Sequence, residues 1–596
     1  MSLPPGIIHN DKPHIAAQVM LSSSSRALGT LTSPRAFTPI DWPSSAIPRA
    51  KRQIAEQTYI PSSPLSVLKA KLIHAASEEP AEIHEFDYLK MILNARVYDV
   101  AIESPLTYAA KLSSRLENKI YLKREDLQPT IFSFKCRGAF NRMYHLTDEE
   151  RSRGVCCVSA GNHAQGVALA AQKLNIKATI CMPTISPSIK VESVRRLGAE
   201  VILIGDDFDQ AKLECQRLVK EKNLVFVPPF DDPYVIAGQG TVGMEILRQL
   251  RQDRLDGIFV CCGGGGLLSG IGAFVKQIRP DIRLIGVNAS DSDGMYQSLS
   301  QGQVVELPVA GLFADGTSVR RVGTENHRLC AKYVDDFVLV SNDEICAAIK
   351  DAFDDTRSIL EPAGALGLAG CKRFLAANPQ MKEGVFVCVT SGANMNFDRL
   401  RFVAERARLG EGKEALLSCI VPEKPGSLKA LYNLIYPRFV TEFSYRYSDS
   451  ASAHIYTAFD VSNGTTEVAE LIQQLESSGT AYEAIDITEN EMAKTHARYL
   501  AGGRSSTVEN EVLYRFRFPE RPGALKKFLN LLENDWNVSL FHYRNIGADI
   551  GRVLAGLQVP PDQRECFQLF LDQLGKAGYF LFVDETDNPV YKHFLK

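Results

Sequence analysis

Between residue 86 and about residue 408, short apolar runs rich in β-branched residues alternate with stretches of helical periodicity such as 165–174 and 189–197. Strands that are apolar on both faces and separated by helices predict an α/β fold with mostly parallel sheets covered on both sides. The runs that we interpret as strands lie at 154–158, 177–182, 200–204, 224–227, 257–262, 283–287 and 384–389. Ligands in such folds bind beyond the carboxyl ends of the strands, so the loops there are the candidate sites.

A repeat occupies the last third of the chain. Residues 415–428 recur as residues 511–525, and Gly426 and Gly523 are offset by 97 residues. In each copy a strand, a Pro-Glu-basic-Pro-Gly turn and an amphipathic helix are followed by two alternating strands, a second helix and a last strand. The first helices are predicted at 428–435 and 525–532, and the alternating strands at 443–447, 455–459, 538–543 and 551–557. This order predicts two ferredoxin-like βαββαβ units.

The first 85 residues have a different character. They are rich in Ser, Pro and Arg, and Asp11 and Asp41 are their only acidic residues before Glu56. This composition fits an organelle transit segment or a disordered tail. We favour a transit segment, with a mitochondrion ahead of a plastid and a cytoplasmic location as the alternative. The pattern divides the chain into an extension at 1–85, an α/β domain at 86–410, and repeat domains at 414–492 and 511–592.

Composition narrows the classes of partner. With 596 residues the chain is too long for one core. A net charge of -3 gives no electrostatic signature for nucleic acid or an anionic membrane, so we expect small molecules and further copies of this chain as partners. The thirteen cysteines include no Cys-x-x-Cys pair and indicate free thiols in a reducing compartment, with neither a disulfide framework nor a zinc site. The uncharged run 257–275 contains seven glycines and does not predict a membrane span.

Lys135 is the first candidate catalytic residue. It follows Phe132 and Phe134, comes shortly after a strand-like run at 120–127, and opens a helix. A lysine among aromatic residues is desolvated, which lowers its pKa and makes the neutral amine available for a Schiff base. A solvated surface lysine is the commoner explanation of such a residue taken alone.

Three loops at predicted strand ends could complete a site. The loop 159–166 could present backbone N–H groups to a carboxylate, although it could equally be a helix cap with His163 as a packed imidazole. The glycines at 263–266 could surround a phosphate; a flexible loop is the alternative, and the absence of Gly-Lys-Ser/Thr disfavours an NTPase. The hydroxyl of Ser391 could meet a heteroaromatic nitrogen or cap a helix. Together with the lysine, these loops describe a pyridoxal phosphate site.

These motifs, in this order, closely resemble the threonine dehydratase (threonine ammonia-lyase) family of fold-type II pyridoxal phosphate enzymes. The resemblance spans about 86–410, and further similar stretches lie at 96–106, 238–241, 313–316 and 359–365. It implies deamination of L-threonine to 2-oxobutanoate and ammonia, the first step of isoleucine biosynthesis, with L-serine as a second candidate substrate. A serine dehydratase or racemase, a non-catalytic amino-acid sensor and a nicotinamide dehydrogenase remain alternatives.

The resemblance also implies a role for each site residue. Lys135 would carry pyridoxal 5'-phosphate as a Schiff base and then act as the base on Cα. The cofactor would be bound by Phe134 against the ring, Asn162 at the 3'-oxygen, Gly263, Gly264, Gly265, Gly266 and Leu267 at the phosphate, and Ser391 at the ring nitrogen. The substrate carboxylate would be bound by Ser159, Ala160, Gly161 and Asn162. No metal is implied.

Two departures from the family pattern affect these expectations. Thr130-Ile131 stands where the family usually has one residue, so we expect a bulge before Lys135. Ala160 stands where similar serine racemases carry a serine, which argues for elimination from one face only.

The two repeats resemble the ACT-like regulatory domains of biosynthetic threonine dehydratases. The turn at a helix N-terminus after each first strand could accept the carboxylate of a free amino acid. We therefore expect feedback inhibition, with isoleucine and valine as effectors, and a homo-oligomer, either a dimer or a tetramer. A dimerisation module without a ligand is the alternative.

Overall fold

The computed structural model describes residues 86–596 except 185, 187, 207, 251–253, 448–449, 492, 501–502, 504, 506–507, 520–523, 532–535, 545–549, 577–580, 589–590, 592–594 and 596. The predicted transit segment at 1–85 and the turn of the second repeat at 520–523 lie outside the described residues.

The α/β domain is built on two sheets. The larger contains, in spatial order, β1 (Leu106–Tyr108), β2 (Lys119–Arg124), β10 (Val385–Thr390), β7 (Gly257–Cys261), β8 (Arg283–Ala289) and β9 (Asp336–Val340). The smaller contains β5 (Glu200–Leu203), β4 (Ala178–Met182), β3 (Val155–Val158) and β6 (Val225–Phe226). Every adjacent pair is parallel except β1 with β2. The predicted mostly parallel α/β architecture is therefore confirmed.

Helices connect and cover these strands. They are α1 (Tyr88–Leu93), α2 (Ala110–Leu116), α3 (Lys135–Tyr144), α4 (Asp148–Arg153), α5 (Asn162–Leu174), α6 (Ser188–Arg196), α7 (Phe208–Glu221), α8 (Pro233–Gln249), α9 (Gly266–Ile278), α10 (Gly294–Gln301), α11 (Thr324–Tyr333), α12 (Asn342–Thr356), α13 (Pro362–Ala377) and α14 (Arg399–Gly410). Short 3₁₀ turns occur at Glu125–Leu127 and Asp315–Thr317. The start of α8 illustrates how local sequence sets these bounds, because Asp232 caps the N–H groups of Tyr234 and Val235 and Pro233 is the first helical residue.

The buried core of the α/β domain lies around the larger sheet. All residues of β7 and β10 are buried, and the ring of Phe259 lies 5.5 Å from that of Phe374 and 6.0 Å from that of Phe386. A second apolar core lies between the smaller sheet and helices α3 and α5. Both faces of each sheet are covered by helices. The loops that follow the carboxyl ends of the strands are therefore the places where a ligand can bind.

The two repeats share one antiparallel sheet. The first repeat consists of β11 (Glu414–Pro422), α15 (Ser427–Ile435), β12 (Val440–Arg446), β13 (Ser452–Asp460), α16 (Gly464–Ser477) and β14 (Glu483–Asp486). After a π-helical turn (Ala493–Ala497) and α17 (Arg498–Leu500), the second consists of β15 (Glu511–Pro519), α18 (Ala524–Leu531), β16 (Asn537–Arg544), β17 (Ile550–Gln558), a 3₁₀ turn (Pro561–Gln563), α19 (Arg564–Lys576) and β18 (Leu581–Asp584). The predicted βαββαβ order is confirmed in both. In addition, β12 pairs with β16, which joins the repeats into a single sheet.

No helix among the described residues has the length and apolar character needed to cross a membrane.

Candidate active site

Lys135 is the first residue of α3 and lies beside the ring of Phe134. Its Nζ donates a hydrogen bond to the carbonyl oxygen of Pro229 at 2.8 Å and lies 5.2 Å from the centre of the Phe134 ring. Desolvation lowers the pKa of Lys135 to about 8, against the weaker opposing effects of Cys261 and Glu361. Phe132, the other aromatic residue of the motif, is half exposed. A far larger fraction of this amine is therefore neutral at physiological pH than for an ordinary lysine, which favours Schiff-base formation.

The segment before Lys135 turns sharply. Thr130 has a φ of 72° and Phe132 a φ of 47°, which are left-handed conformations that non-glycine residues rarely adopt. Ile131 between them is fully buried. The extra residue of this segment is thus accommodated by a strained turn that leads directly into the lysine.

The glycine loop joins the end of β7 to the start of α9. A Cβ atom on Gly264 would lie 2.4 Å from the ring of Phe230, and one on Gly266 would lie 3.1 Å from Phe230 Cβ. Gly265 has a φ of +103°, and no side chain caps the helix that follows. Uncapped N–H groups at a helix N-terminus form a site for an anion. Because Phe230 follows the residue that binds Lys135 Nζ, the lysine and the glycine loop lie next to each other.

Ser391 lies beside the lysine segment. Its carbonyl oxygen accepts the N–H of Phe134 at 3.2 Å, and the carbonyl oxygen of Phe132 accepts the N–H of Ala393 at 3.0 Å. The Ser391 hydroxyl is buried, donates a long hydrogen bond of 3.4 Å to the carbonyl oxygen of Ala363, and also interacts with the thiol of Cys261. Because the bond to Ala363 is long, this hydroxyl can form a shorter hydrogen bond with a ligand.

Asn162 begins α5 and faces the same space. Its Nδ2 donates to Glu361 Oε1 at 2.7 Å, and its Oδ1 accepts from Asn394 Nδ2 at 2.7 Å. The position where a Cβ on Gly161 would lie has no atom within 4 Å, so the turn borders open space. The amide of Gly161 bonds the hydroxyl of Ser159, which shapes the turn.

His163 and Leu267 do not present their side chains as ligands. His163 is buried, its Nε2 lies 2.9 Å from the carbonyl oxygen of Val227, and burial lowers its pKa to about 3. The packed-imidazole interpretation of His163 agrees with this environment. The side chain of Leu267 is in the core, so only its backbone amide belongs to the glycine loop.

Glu361 is a site residue to which the sequence assigned no specific role. Glu361 belongs to the similar stretch at 359–365 and directly precedes α13, whose first turn is formed by 362–365. Burial, with a contribution from Asp315, raises the pKa of Glu361 to about 7. A glutamate before a proline at a helix start is its only sequence signal, because the contact with Asn162 spans 199 residues.

Four fully buried charges lie behind Lys135. The guanidinium of Arg137 bonds Glu125 at 2.7 Å and Glu245 at 2.5 Å, and Lys123 bonds Glu245 at 2.6 Å. Two positive and two negative groups balance, and removing one partner of such a set typically costs about 3–5 kcal/mol. Because Arg137 belongs to the first turn of α3, this network fixes the helix that carries Lys135.

Comparison with known proteins identifies the family. A family model described as "Pyridoxal-phosphate dependent enzyme" matches residues 97–392, and one described as "C-terminal regulatory domain of Threonine dehydratase" matches 405–497 and 502–595. The mitochondrial threonine dehydratase of Saccharomyces cerevisiae is 53% identical over 522 residues, which cover 86% of this chain and 89% of that protein. The chain belongs to the threonine dehydratase family.

Other threonine dehydratases agree with this assignment. The biosynthetic L-threonine dehydratase IlvA of Escherichia coli is 47% identical over 509 residues, covering 85% of this chain and 97% of that protein. A solved structure, the processed form of threonine deaminase isoform 2 from Solanum lycopersicum, is 48% identical and covers 54% of this chain and 93% of its own, with a TM-score of 0.53.

Pyridoxal phosphate is the cofactor of this threonine dehydratase, and the residues present fit it. The glycine loop tolerates no Cβ and ends at an uncapped helix, Lys135 has a lowered pKa, and the Ser391 hydroxyl is weakly bonded. These groups can hold a phosphate, a carbonyl carbon and a ring nitrogen respectively.

Proposed function

We propose that this enzyme deaminates L-threonine to 2-oxobutanoate and ammonia, with Lys135 as its catalytic residue and Ser159–Asn162 as its carboxylate site. The observation that carries the proposal is the half-buried Lys135 amine, whose pKa is lowered to about 8 beside a glycine loop that can accept a phosphate. Pyridoxal phosphate supplies the electron sink that stabilises negative charge at the substrate Cα. The reaction is the first step of isoleucine biosynthesis.

The chain's own residues carry out binding and proton transfer. Lys135 would hold the cofactor through its amine, and as a free amine it would accept the Cα proton, for which a pKa of about 8 is well matched. Backbone amides of the Ser159–Asn162 turn bind the carboxylate beside open space. Ser391 offers the ring nitrogen a neutral hydroxyl in place of a carboxylate, which leaves that nitrogen less protonated and favours loss of the β-hydroxyl over transamination.

Replacement of Lys135 by alanine tests this proposal. Lys135→Ala should lose both 2-oxobutanoate production and the visible absorbance of the cofactor–lysine Schiff base, because the substitution removes the amine that forms it. Lys173→Ala, which alters an exposed lysine near the end of α5, is the matched control and should keep both. Turnover by Lys135→Ala at the normal rate would overturn the assignment.

A serine dehydratase remains the second candidate function. The open space beside Gly161 is compatible with either side chain, since no atom lies within 4 Å of the position of its Cβ. Comparing pyruvate formation from serine with 2-oxobutanoate formation from threonine, at equal enzyme concentration, distinguishes the two.

We also propose that isoleucine, and valine more weakly, inhibit the enzyme from a cleft between the two repeats. The cleft is lined on one side by the turn after β11 and on the other by α18 and the start of β16. Ser427, at the N-terminus of α15, has a buried hydroxyl without a hydrogen-bond partner among the described residues. An unpaired hydroxyl next to a helix N-terminus suits a carboxylate.

The other walls of the cleft suit the rest of an aliphatic amino acid. Glu423 accepts hydrogen bonds from Asn537 Nδ2 at 3.0 Å and from Tyr445, and its negative charge can attract an ammonium group. Leu428, Leu529, Trp536 and Val538 provide apolar surface. A branched side chain would bury more of that surface than a polar one, at about 25 cal/mol per Å².

Glu423→Gln tests this effector site. Loss of the charge should raise the isoleucine concentration for half inhibition within the range of about 5–150-fold that is typical of allosteric coupling, with the uninhibited rate unchanged. Glu470→Gln, an exposed residue on α16, is the control and should inhibit normally. If the intact enzyme ignores both isoleucine and valine, the repeats are a dimerisation module without a ligand.

We further propose that the enzyme is a homo-oligomer, a dimer or a tetramer, and that residues 1–85 direct it to a mitochondrion. The Saccharomyces cerevisiae relative is named mitochondrial and one of Solanum lycopersicum chloroplastic. Sedimentation of the purified enzyme tests the first proposal, and the location of a fluorescent protein fused to residues 1–85 tests the second.

A further inference from the structure

Three cysteine side chains meet beside the smaller sheet of the α/β domain. Cys156 lies on β3, Cys181 on the adjacent β4, and Cys215 on α7, which packs across both strands. Their Sγ atoms all lie within 4.8 Å of one another, and those of Cys156 and Cys215 are 3.1 Å apart. All three residues are buried. They are far apart in the sequence, so only the fold reveals the cluster.

The register of the strands explains why the sulfurs meet. Cys156 is level with Thr179, and Val158 is level with Cys181, so both cysteines project from the same face of the sheet. That face packs against α7, whereas Cys157 points to the opposite core. Two strands and their covering helix therefore each contribute one sulfur to a single point.

The surroundings of the cluster are apolar. Val158, Ala211 and Leu218 are buried with it, and no carboxylate or imidazole of the described residues joins the three sulfurs within the same distance. The cluster thus places three thiols together among apolar side chains.

We propose that Cys156, Cys181 and Cys215 form a three-sulfur binding site for a soft monovalent cation, Cu⁺. Thiol ligands suit Cu⁺, zinc and iron–sulfur clusters, but a structural zinc ion and a cluster typically take four protein ligands, so a set of three sulfurs favours Cu⁺. A metal bound to three sulfurs at about 2.3 Å needs sulfur–sulfur distances of about 4 Å. All three sulfurs already lie within 4.8 Å of one another, and a bound ion would widen the 3.1 Å separation of Cys156 and Cys215. Binding of one Cu⁺ with release of one thiol proton leaves the site neutral overall, which avoids burying a net charge among apolar side chains.

Copper titration of the full-length enzyme tests this site. A Cys566→Ala background removes the one exposed thiol among the described cysteines. We expect this parent protein, titrated anaerobically with Cu⁺ against the chelator bathocuproine disulfonate, to retain one equivalent per chain. X-ray absorption of that equivalent should show three sulfur neighbours and no nitrogen or oxygen neighbour.

Single alanine variants in the same background identify the ligands. Cys181→Ala should lose the retained copper, whereas Cys419→Ala, a buried thiol of β11, should retain it as the parent does. Failure of the parent to retain copper, a mixed coordination shell, or full retention by Cys181→Ala would show that the three thiols only pack as small apolar side chains. Should Cys181→Ala lose its near-ultraviolet circular dichroism, the X-ray absorption of the parent alone decides.

Discussion

Lys135 is held by contacts that a general surface lysine lacks. Its Nζ donates to the carbonyl of Pro229, and its helix is held by the ion pairs of the buried guanidinium of Arg137. The first contact places the nitrogen next to the glycine loop, and the second prevents the helix from turning. Desolvation thus lowers the pKa of Lys135, and the ion pairs of Arg137 fix the helix that carries it.

The lowered pKa of Lys135 predicts how cofactor attachment depends on pH. Only the neutral amine attacks a carbonyl, and below its pKa of about 8 the neutral fraction falls about tenfold per pH unit. When apoenzyme is mixed with pyridoxal phosphate, the rate of Schiff-base formation should rise up to about pH 8 and then level off. Absorbance measured from about pH 6 to pH 9 follows this rate. A rate that still climbs at about pH 9, as for an ordinary lysine, would contradict the lowered pKa.

Motifs predicted some site residues and could not predict others. Lys135, Ser391 and the glycines of 263–266 stand in local patterns whose chemistry is evident in the sequence, and the structure brings them to one place. Glu361 is different, because its raised pKa arises from burial and from Asp315. Such an environment is set by tertiary packing between distant segments, which no local pattern records.

At the scale of elements, the site depends on the junction between β7 and α9. Gly265 has a positive φ, and a Cβ there would lie 2.7 Å from the Cβ of Asn326. Backbone conformation and packing therefore both require glycine at this position.

Gly265→Ala should damage the fold and the cofactor site together. Strain at a left-handed residue costs about 1–2 kcal/mol, and the clash adds to it. We expect a lower melting temperature and weaker retention of pyridoxal phosphate on dialysis. Gly161→Ala is the comparison for stability, because no atom lies within 4 Å of the added carbon. Equal melting temperatures for the two variants would contradict this account.

Apolar patterning predicted most strands because the central strands are buried on both faces. It gave no strand at 336–340, where β9 forms the edge of the larger sheet. The predicted run at 120–127 is a strand only to Arg124, after which Glu125–Leu127 turn as a 3₁₀ helix to carry Glu125 into the buried ion network. Propensity could not show this, because the turn depends on the buried ion pair of Glu125 with Arg137, a tertiary contact.

At the scale of the whole molecule, charged side chains connect the α/β domain to the segment between the repeats. Asp343 of α12 bonds Arg406 of α14 at 3.0 Å and Lys494 of the inter-repeat segment at 2.8 Å. Arg406 also bonds Glu491 at 3.0 Å. The side chains of Arg406 and Lys494 are buried. A movement of the repeats would therefore displace the ion pairs that connect them to α12 and α14.

Lys494→Met should weaken feedback without removing catalysis. The substitution removes one charge from the cluster, while the active site lies on other elements. We expect a higher isoleucine concentration for half inhibition and an unchanged rate without effector, both from 2-oxobutanoate assays. Lys413→Met, whose side chain is about half exposed, is the control. Unaltered inhibition in Lys494→Met would exclude this cluster as a route of coupling.

The pairing of β12 with β16 has a consequence for regulation at different enzyme concentrations. In a protein with one regulatory copy per chain, a cleft between two copies would assemble only when two chains associate, and it would be lost on dilution. Here both repeats belong to one chain. Each repeat therefore meets the other at an effective concentration set by the linker, commonly in the millimolar range for short flexible linkers. The cleft between the repeats therefore stays assembled however little enzyme is present.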